Sequence, residues 1–308
     1  AFLCLSLALY EALTALSRGG HYPVWWTSFA GLAISVPLMM FYSSLVIIPI
    51  LALLSFIVLL VVMRRENPDL VDICMSELPM LTVVLPGMCL FGILDTEPRS
   101  LQALLLVLVF AIAVGGDTFA YFVGSAIGGP KLCPHISPNK TVAGAAGGLV
   151  GSVLCAVAAG RIFTLCFPAF SGFPPIWADM LCGLFGGIAG QMGDLFASMV
   201  KRHCKIKDFG HIFPGHGGML DRLDSIVFTA IIVYSYRVIL LASIWPRSPR
   251  IPAAKSSLSR CGLFVRGWLA WCSPFPGKKF LRTCGSANGS LAPKRSRWLL
   301  RRMQTTCW

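Results

Sequence analysis

A run of 42 residues, 22–63, contains no Asp, Glu, Lys or Arg, and it limits the possible folds more than any other feature. A helix needs about 20 apolar residues to cross a bilayer, so this run is too long for one crossing and fits two. We expect the turn between them near residues 41–44. Only 13% of the chain is charged, against about 25% in a typical soluble domain. This excludes an ordinary soluble enzyme, a disordered chain and a small disulfide scaffold, and it indicates a polytopic membrane protein.

Other apolar segments extend this pattern along the chain. They are 1–17, which Glu11 interrupts, 78–94, 101–124, 141–160, 178–200 and 225–245. Prolines break a shorter piece, 162–177, which is predicted to be short or re-entrant. Polar loops are expected at 66–78, 125–140 and 201–224. The predicted fold class is all-α: a polytopic integral membrane protein with about eight transmembrane or re-entrant helices.

Basic residues predict which loops face the cytoplasm. Those assigned to that side are Arg64, Arg65, Lys131, Lys140, Lys201, Arg202, Lys205, Lys207 and Arg222. Two of the loops that carry them, 125–140 and 201–224, then meet on one face of the membrane.

Small residues cluster at 143–151 and at 183–193, and both clusters contain G-x-x-x-G spacing. Close packing between helices is the favoured interpretation. The alternative is close approach of the backbone to phosphate groups, because both clusters lie beside charged loops.

Two acids near the start of the last apolar segment, Asp221 and Asp224, have i,i+3 spacing and share one face if a helix starts there. Two like charges so placed favour a cation between them, and hard carboxylate oxygens suit Mg²⁺. The alternative is a set of salt bridges with Arg222 and Lys207. A less favoured alternative is a zinc site formed by His203, Cys204, His211 and His216, whose spacing fits no standard zinc pattern.

The segment 198–224, S-M-V-K-R-H-C-K-I-K-D-F-G-H-I-F-P-G-H-G-G-M-L-D-R-L-D, resembles the signature of the phosphatidate cytidylyltransferases, also called CDP-diacylglycerol synthases. Two upstream stretches are similar to the same family: G-D-T-F-A-Y-F-V-G at 116–124 and I-S-P-N-K-T-V-A-G at 136–144. The resemblance covers roughly residues 20–245. One departure is Ala143, where the family often has Glu, and this puts one metal or phosphate contact in doubt.

The resemblance implies that CTP and phosphatidate react to give CDP-diacylglycerol and pyrophosphate at a lipid bilayer. Mg²⁺ is the expected cofactor, and a second cation is left open. The implied metal ligands are Asp194, Asp221, Asp224 and Asp117, the last being alternatively an intramembrane partner of a basic residue. The implied substrate contacts are Lys140, Ser198, Lys201, Arg202, Lys207, Gly217, Gly218 and Arg222. The residues predicted to be catalytic are Asp194, Asp221, Asp224, Lys207 and His216, and His216 is alternatively a structural hydrogen bonder.

Three regions are predicted on this basis. Residues 1–63 are N-terminal transmembrane helices, expected to be truncated at the start because the sequence opens at Ala1 inside an apolar run. Residues 64–245 are the catalytic transmembrane domain. Residues 246–308 carry 13 of the 26 basic residues and no acid, which favours a disordered or out-of-frame tail over a basic membrane-surface arm.

The predicted location is the cell (inner) membrane, multi-pass, with the active site facing the cytoplasm. Because half of the basic residues lie in the tail, the net charge of +13 gives no reason to expect a nucleic-acid partner. A homodimer is left open. The rival functions are a CTP-dependent polyprenol or lipid kinase of the same superfamily, a transporter that uses intramembrane Asp residues, and an inactive relative.

Overall fold

The structure is a computed structural model that describes residues 1–41, 47–166, 174–212 and 217–244. These residues form nine α-helices, one π-helical turn at Met80–Val84 and one antiparallel hairpin of two short strands. In chain order the elements are α1 (Phe2–Arg18), α2 (Trp25–Phe41), α3 (Ile47–Met63), α4 (Leu70–Pro79), α5 (Leu85–Leu94), α6 (Arg99–Ile127), β1 (Lys131–Cys133), β2 (Ser137–Thr141), α7 (Val142–Cys166), α8 (Ile176–His203) and α9 (Leu220–Ile244). The predicted tail, 246–308, lies outside the described residues.

Within the described part of the chain, five stretches are long and apolar enough to cross a membrane. They are Leu70–Leu94, Arg99–Ile127, Val142–Cys166, Ile176–His203 and Leu220–Leu240. Two shorter apolar helices, α2 and α3, fill the uncharged run as a pair, as its length predicts. The prediction of a helical membrane protein is confirmed, whereas the number of about eight crossings and the division at residue 63 remain predictions.

The predicted loop at 66–78 is wrong, because α4 begins at Leu70. The Asp69 side chain caps this helix by accepting the Val71 N–H at 3.0 Å. Inside the helix, Asp72 pairs with Arg65 at 2.7 Å and Glu77 accepts the Ser55 hydroxyl at 2.7 Å. Because Arg65 and Ser55 pair with these two acids, the segment folds as a helix despite its polarity, although the second oxygen of Glu77 is buried without a hydrogen-bond partner among the described residues.

The predicted loop at 125–140 contains the hairpin, which is the part of the described fold that is not helical. Gly128 and Gly129 follow α6 with φ values of +67° and +91°, a backbone region that favours glycine. The chain then turns back into β1 and β2, which pair in an antiparallel register with Lys131 opposite Thr141.

The predicted short or re-entrant piece at 162–177 is not a separate element in the described residues. Its first residues, 162–166, continue α7, and residues 176 and 177 start α8. The predicted loop at 201–224 is also shorter than expected, because α8 extends to His203 and α9 begins at Leu220.

Glycine allows the backbones of α6, α7 and α8 to approach closely. A Cβ added at Gly144 on α7 would lie 2.8 Å from the Ala120 carbonyl oxygen of α6, and one added at Gly183 on α8 would lie 2.8 Å from the Val153 Cα of α7. The packing interpretation of the two glycine clusters is therefore confirmed.

The apolar core falls into two clusters. One joins α1, α2, α3 and the π-helical turn to the end of α8 and the start of α9, through residues such as Leu13, Val84, Ala197 and Val227. The other joins α5, α6, α7, α8 and α9. The first cluster therefore packs α1 against the segment that carries the signature.

A polar cluster links the other ends of α7, α8 and α9. Asp179, fully buried in the first turn of α8, pairs with Arg161 of α7 at 2.8 Å. The Tyr236 hydroxyl of α9 donates to its second carboxylate oxygen at 2.7 Å. Arg161 also donates to the Pro174 carbonyl at 2.9 Å. The buried charge is thereby neutralised and hydrogen-bonded, as a charge inside an apolar bundle requires.

The glycine contacts predict that Gly148→Leu lowers the stability of the bundle. A Cβ at this position would lie 3.0 Å from both the Gly116 carbonyl oxygen and the Ala120 Cβ. Overpacking of this kind costs about 1–3 kcal/mol, so we expect a lower melting temperature in detergent. Ala146→Leu, on an exposed position of the same helix, is the control and should melt like the wild type. Equal melting of the two variants would contradict the close packing.

Candidate active site

Most of the predicted site residues lie where α8 ends and α9 begins. α8 carries Asp194, Ser198, Lys201 and Arg202. The loop that joins the two helices carries Lys207, Gly217 and Gly218, and the first turns of α9 carry Asp221, Arg222 and Asp224. The hairpin adds Lys140, and α6 adds Asp117. His216 lies outside the described residues.

The Asp221 carboxylate ties three parts of this site together. One oxygen accepts Lys201 Nζ at 2.8 Å. The other accepts the backbone N–H of Phe209 at 2.9 Å and that of Gly218 at 3.0 Å. Both oxygens thus bind donors of the protein, and the ion pair observed for Asp221 is with Lys201. The Gly218 N–H, predicted to contact phosphate, donates to Asp221 in this arrangement.

A second ion pair joins the hairpin to α8, between Lys140 and Asp194. Thr141, the residue after Lys140, caps α7, because its hydroxyl accepts the Gly144 N–H at 3.0 Å. This contact also fixes the backbone next to Lys140. Arg202 Nε donates to the Ile136 carbonyl at 3.3 Å, which ties the end of α8 to the turn of the hairpin. Ala143, where the family often has Glu, lies in the first turn of α7 beside Gly144.

Three acids from three helices face a common region. The Ser225 hydroxyl donates to Asp117 Oδ2 at 3.3 Å, and the Ser225 N–H donates to Asp224 Oδ1 at 2.7 Å. The negative charges of Asp117 and Asp194 are both near enough to act on Asp224. Three negative charges that act on one another are unfavourable unless a cation compensates them. Lys140 compensates one of them directly.

This donor set fits Mg²⁺ chemically. Mg²⁺ prefers hard oxygen ligands and is usually held by one or two carboxylates together with substrate phosphates. Among the described residues, no three His, Cys, Asp or Glu side chains lie close enough to hold a metal ion by themselves. The described carboxylates therefore do not form a complete metal site by themselves.

A cavity of about 620 Å³ opens beside the acids, between α6, the hairpin, α7 and α8. Its volume lies in the range typical of small-molecule sites. Its polar lining residues are Asp117, Ser125, Lys131, Asn139, Lys140, Thr141, Gln191 and Asp194. Gln191 also donates to the Ala145 carbonyl at 3.0 Å, which holds α8 against α7 at the cavity wall. Charged groups of both signs therefore line a space large enough for a nucleotide.

The remaining predicted substrate contacts differ in exposure. Ser198 is half-buried on α8, whereas the Lys207 and Arg222 side chains are exposed beside the loop. Nothing in the described contacts places these three residues in the cavity wall. Their roles therefore remain predictions.

The zinc alternative finds no support in the described part of the site. The His203 ring pairs with His21, with 3.0 Å between the two Nε2 atoms, and the rings lie nearly parallel. His203, Cys204 and His211, the described members of this set, form no group that could hold a metal ion.

Sequence reasoning missed several residues of the site. Lys131, Asn139 and Gln191 line the cavity, but none of them was predicted to belong to the site, and Lys131 was noted only as a basic residue of a predicted cytoplasmic loop. Glu11 was noted only because it interrupts an apolar segment. In the structure this side chain accepts the N–H of Leu220, at the start of α9, at 2.8 Å.

Curated relatives of the chain are phosphatidate cytidylyltransferases from diverse bacteria. The relative from Bacillus subtilis is 43% identical over 157 residues, which cover 50% of this chain and 55% of the relative. The relative from Brucella suis is 40% identical over 149 residues (48% and 50%), and that from Synechocystis is 41% identical over 140 residues (45% and 44%). The chain spans about half the length of the curated relatives it matches.

The sequence profile of the cytidylyltransferase family matches residues 1–240. This range includes α1 to α8, the hairpin and most of α9, so it contains both the cavity and the ion pairs that surround it. Because the match covers more than half of the chain, the chain belongs to the cytidylyltransferase family.

Proposed function

We propose that the chain is a CTP:phosphatidate cytidylyltransferase, which makes CDP-diacylglycerol and pyrophosphate. The observation that carries this proposal is the cavity lined by Asp117, Lys140 and Asp194 at one end of an apolar helical bundle. The relatives named phosphatidate cytidylyltransferase supply the choice of substrates. The apolar helices supply the reason for a lipid substrate, because its acyl chains remain in the bilayer while CTP enters from water.

The proposed reaction needs little acid–base chemistry. The phosphate of phosphatidate is already an anion, so it attacks the α-phosphorus of CTP without a strong base. The obstacles are repulsion between two anions and the charge that builds on the leaving pyrophosphate. Positioning and electrostatic stabilisation therefore dominate, as in other phosphoryl transfers.

The basic side chains are proposed to reduce the repulsion between the anions and to hold the site in shape. Lys140 faces the cavity and contributes a positive charge where the phosphates of CTP would lie. Lys201, half-buried and paired with Asp221, holds the loop that joins α8 and α9. Lys207 and Arg222 lie exposed at the same loop and are proposed to bind incoming anions.

One or two of the carboxylates of Asp117, Asp194 and Asp224, together with phosphate oxygens of CTP, are proposed to hold Mg²⁺, which when bound would offset phosphate charge and polarise the α-phosphorus. A second cation is left open. Asp221 is a predicted ligand as well, but its two oxygens bind Lys201 and two backbone N–H groups. We therefore propose that Asp221 acts first as the residue that shapes the loop.

The proposed location is the cell (inner) membrane, with the cavity facing the cytoplasm. The basic residues of the hairpin and of the α8–α9 loop support this orientation, because Arg202 contacts the hairpin and so brings both sets to one side. Arg65 is proposed to lie on the same face of the membrane. Its side chain donates to the Tyr22 carbonyl at 2.8 Å, and the residue that precedes Tyr22, His21, pairs with His203 at the end of α8. A homodimer remains a prediction.

The direct test supplies membranes carrying the chain with phosphatidate, Mg²⁺ and CTP labelled at either the α- or the γ-phosphorus. We expect the α label to enter the lipid fraction and the γ label to remain in aqueous pyrophosphate. Lipid extraction followed by counting gives the result. Label from the γ position in lipid would indicate a kinase instead. No CTP-dependent lipid labelling at all would leave the transporter or inactive-relative readings and reject the proposal.

The acid cluster predicts that Asp224→Asn lowers formation of CDP-diacylglycerol by about 10²-fold or more, since it removes a charge that acts on the transition state. The same change should abolish the rise in melting temperature that added Mg²⁺ gives the wild type. Without Mg²⁺ the variant should melt no lower than the wild type, because one of three repelling charges is gone. Asp69→Asn is the control, since asparagine caps α4 as well as aspartate does. An intact Mg²⁺-dependent shift in Asp224→Asn would remove this residue from the metal site.

The Lys140–Asp194 pair predicts a different effect for Lys140→Ala. A hydrogen bond to a charged group contributes about 1.5–3 kcal/mol, and about 1.4 kcal/mol corresponds to tenfold in affinity. The KM for CTP should therefore rise by about tenfold or more. Lys205→Ala is the matched control, because Lys205 is exposed on the neighbouring loop and does not line the cavity. An equal KM in the two variants would show that Lys140 does not bind the nucleotide.

A further inference from the structure

Glu11 is a charged residue in the middle of an otherwise apolar helix, α1. Its neighbours on the same helix, Leu9, Ala12 and Leu13, belong to the apolar core, and Glu11 itself is only 3% exposed. A carboxylate buried in such surroundings is costly and needs a polar partner. The partner it has is 209 positions away along the chain, at the start of α9.

The contact of Glu11 with α9 has the form of a helix cap supplied from another helix. The first N–H groups of a helix lack partners inside it. Glu11 Oε2 accepts the N–H of Leu220, the first residue of α9, at 2.8 Å. A carboxylate at this end also interacts favourably with the helix dipole. The next residue, Asp221, is the one that binds Lys201, so the cap fixes the point from which that carboxylate projects.

The same carboxylate lies between the two edges of the loop that joins α8 and α9. A Cβ added at Gly210 would overlap Glu11 Oε1, and a Cβ added at Gly218 would overlap both of its oxygens. Gly210 precedes the segment 213–216 and Gly218 follows it. Glycine at these two positions therefore leaves the space that the Glu11 side chain occupies.

Asp221 binds the same loop from another direction, through the N–H groups of Phe209 and Gly218. The residues on either side of 213–216 are thus held between two carboxylates. Glu11 lies against Gly210 and Gly218. Asp221 accepts the N–H groups of Phe209, which precedes Gly210, and of Gly218. Of these two carboxylates, only that of Asp221 has a basic partner among the described residues.

Burial of the Glu11 carboxylate costs free energy, and packing of α1 against the core does not require a carboxylate there. Its Oε1 atom is buried and makes no hydrogen bond with the described residues. A buried oxygen without a partner costs about 1–3 kcal/mol. An apolar residue would fill the core of α1 without that cost, but it would leave the first N–H of α9 without its acceptor.

We infer that Glu11 is a positioning residue of the catalytic site, which reaches from α1 to fix the described residues that it contacts, Gly210 and Gly218 of the α8–α9 loop and Leu220 at the start of α9, in the geometry needed for nucleotide transfer. This inference rests on the proposed function. It also makes α1 part of the working site.

The first test replaces Glu11 with alanine or glutamine and measures kcat and KM per inserted molecule. A displacement of about 1 Å in a site can cost on the order of 10²-fold in rate. We expect Glu11→Ala to lower kcat by about tenfold to 10²-fold, with a smaller change in the KM for CTP. Glu11→Gln keeps an oxygen that accepts the Leu220 N–H, so it should recover most of the lost kcat. A purely structural role would lower the amount of inserted protein and leave kcat per molecule unchanged.

A matched control on the same helix is Thr14→Val. The Thr14 hydroxyl is also buried without a hydrogen-bond partner, one turn after Glu11, and it accepts no N–H of the described residues of the loop. This variant should keep the wild-type kcat. A loss of kcat in Thr14→Val equal to that in Glu11→Ala would show a general sensitivity of α1 and overturn the inference.

The second test is a double-mutant cycle with Gly210→Ala. This change pushes a Cβ into the Glu11 carboxylate and should lower kcat by itself. In the Glu11→Ala background the space is open, so Gly210→Ala should add little further loss. Contacting residues deviate from additivity in this way, whereas independent ones add. Additive losses would contradict the proposed contact.

The outcomes separate this inference from the proposed function. If the wild-type chain does not transfer the α label of CTP to lipid, the proposed function fails. If the wild type is active and Glu11→Ala keeps its kcat, only the inference fails. If Glu11→Ala does not insert into the membrane, Gly210→Ala still tests the positioning role of Glu11. A wild-type kcat in Gly210→Ala would overturn that role.

Discussion

The ion pair between Lys201 and Asp221 is the interaction on which the site depends. It joins the last turn of α8 to the first turn of α9, and the second Asp221 oxygen fastens the backbone on both sides of the intervening loop. Packing of apolar helices alone would not fix the backbone at Phe209 and Gly218, because a hydrophobic contact does not specify direction. Charge pairing supplies the direction, and the low polarity of the bundle makes an unpaired charge costly enough to enforce it.

Much of the fold could be predicted because its signals are local. The uncharged run at 22–63 predicted two helices, and the glycine spacing in 143–151 and 183–193 predicted close helix packing. The i,i+3 spacing of Asp221 and Asp224 predicted a shared face if a helix started there, and α9 does begin at Leu220, although the predicted loop extended to residue 224. Hydropathy and spacing act over a few residues, so one sequence suffices to interpret them.

The remaining features depend on partners that are distant along the chain. The segment around Asp72 was predicted to be a loop because its pairing with Arg65, and that of Glu77 with Ser55, is not visible in local composition. The hairpin before α7 is too short to show a strand pattern. Glu11 was only an anomaly within an apolar segment, since its partner, Leu220, lies at the other end of the fold. Long-range polar contacts of this kind need coordinates.

The cluster of Arg161, Asp179 and Tyr236 has a mechanical consequence for the bundle. It fastens α7, α8 and α9 together roughly 20 Å along α8 from Asp194, at about 1.5 Å per residue. At the opposite ends the same helices are joined through the hairpin and the loop. The buried cluster and the Lys201–Asp221 pair therefore hold α8 and α9 together at two levels, and Asp194 and Asp224, which lie between these two contacts, are carried on helices whose separation is fixed on both sides.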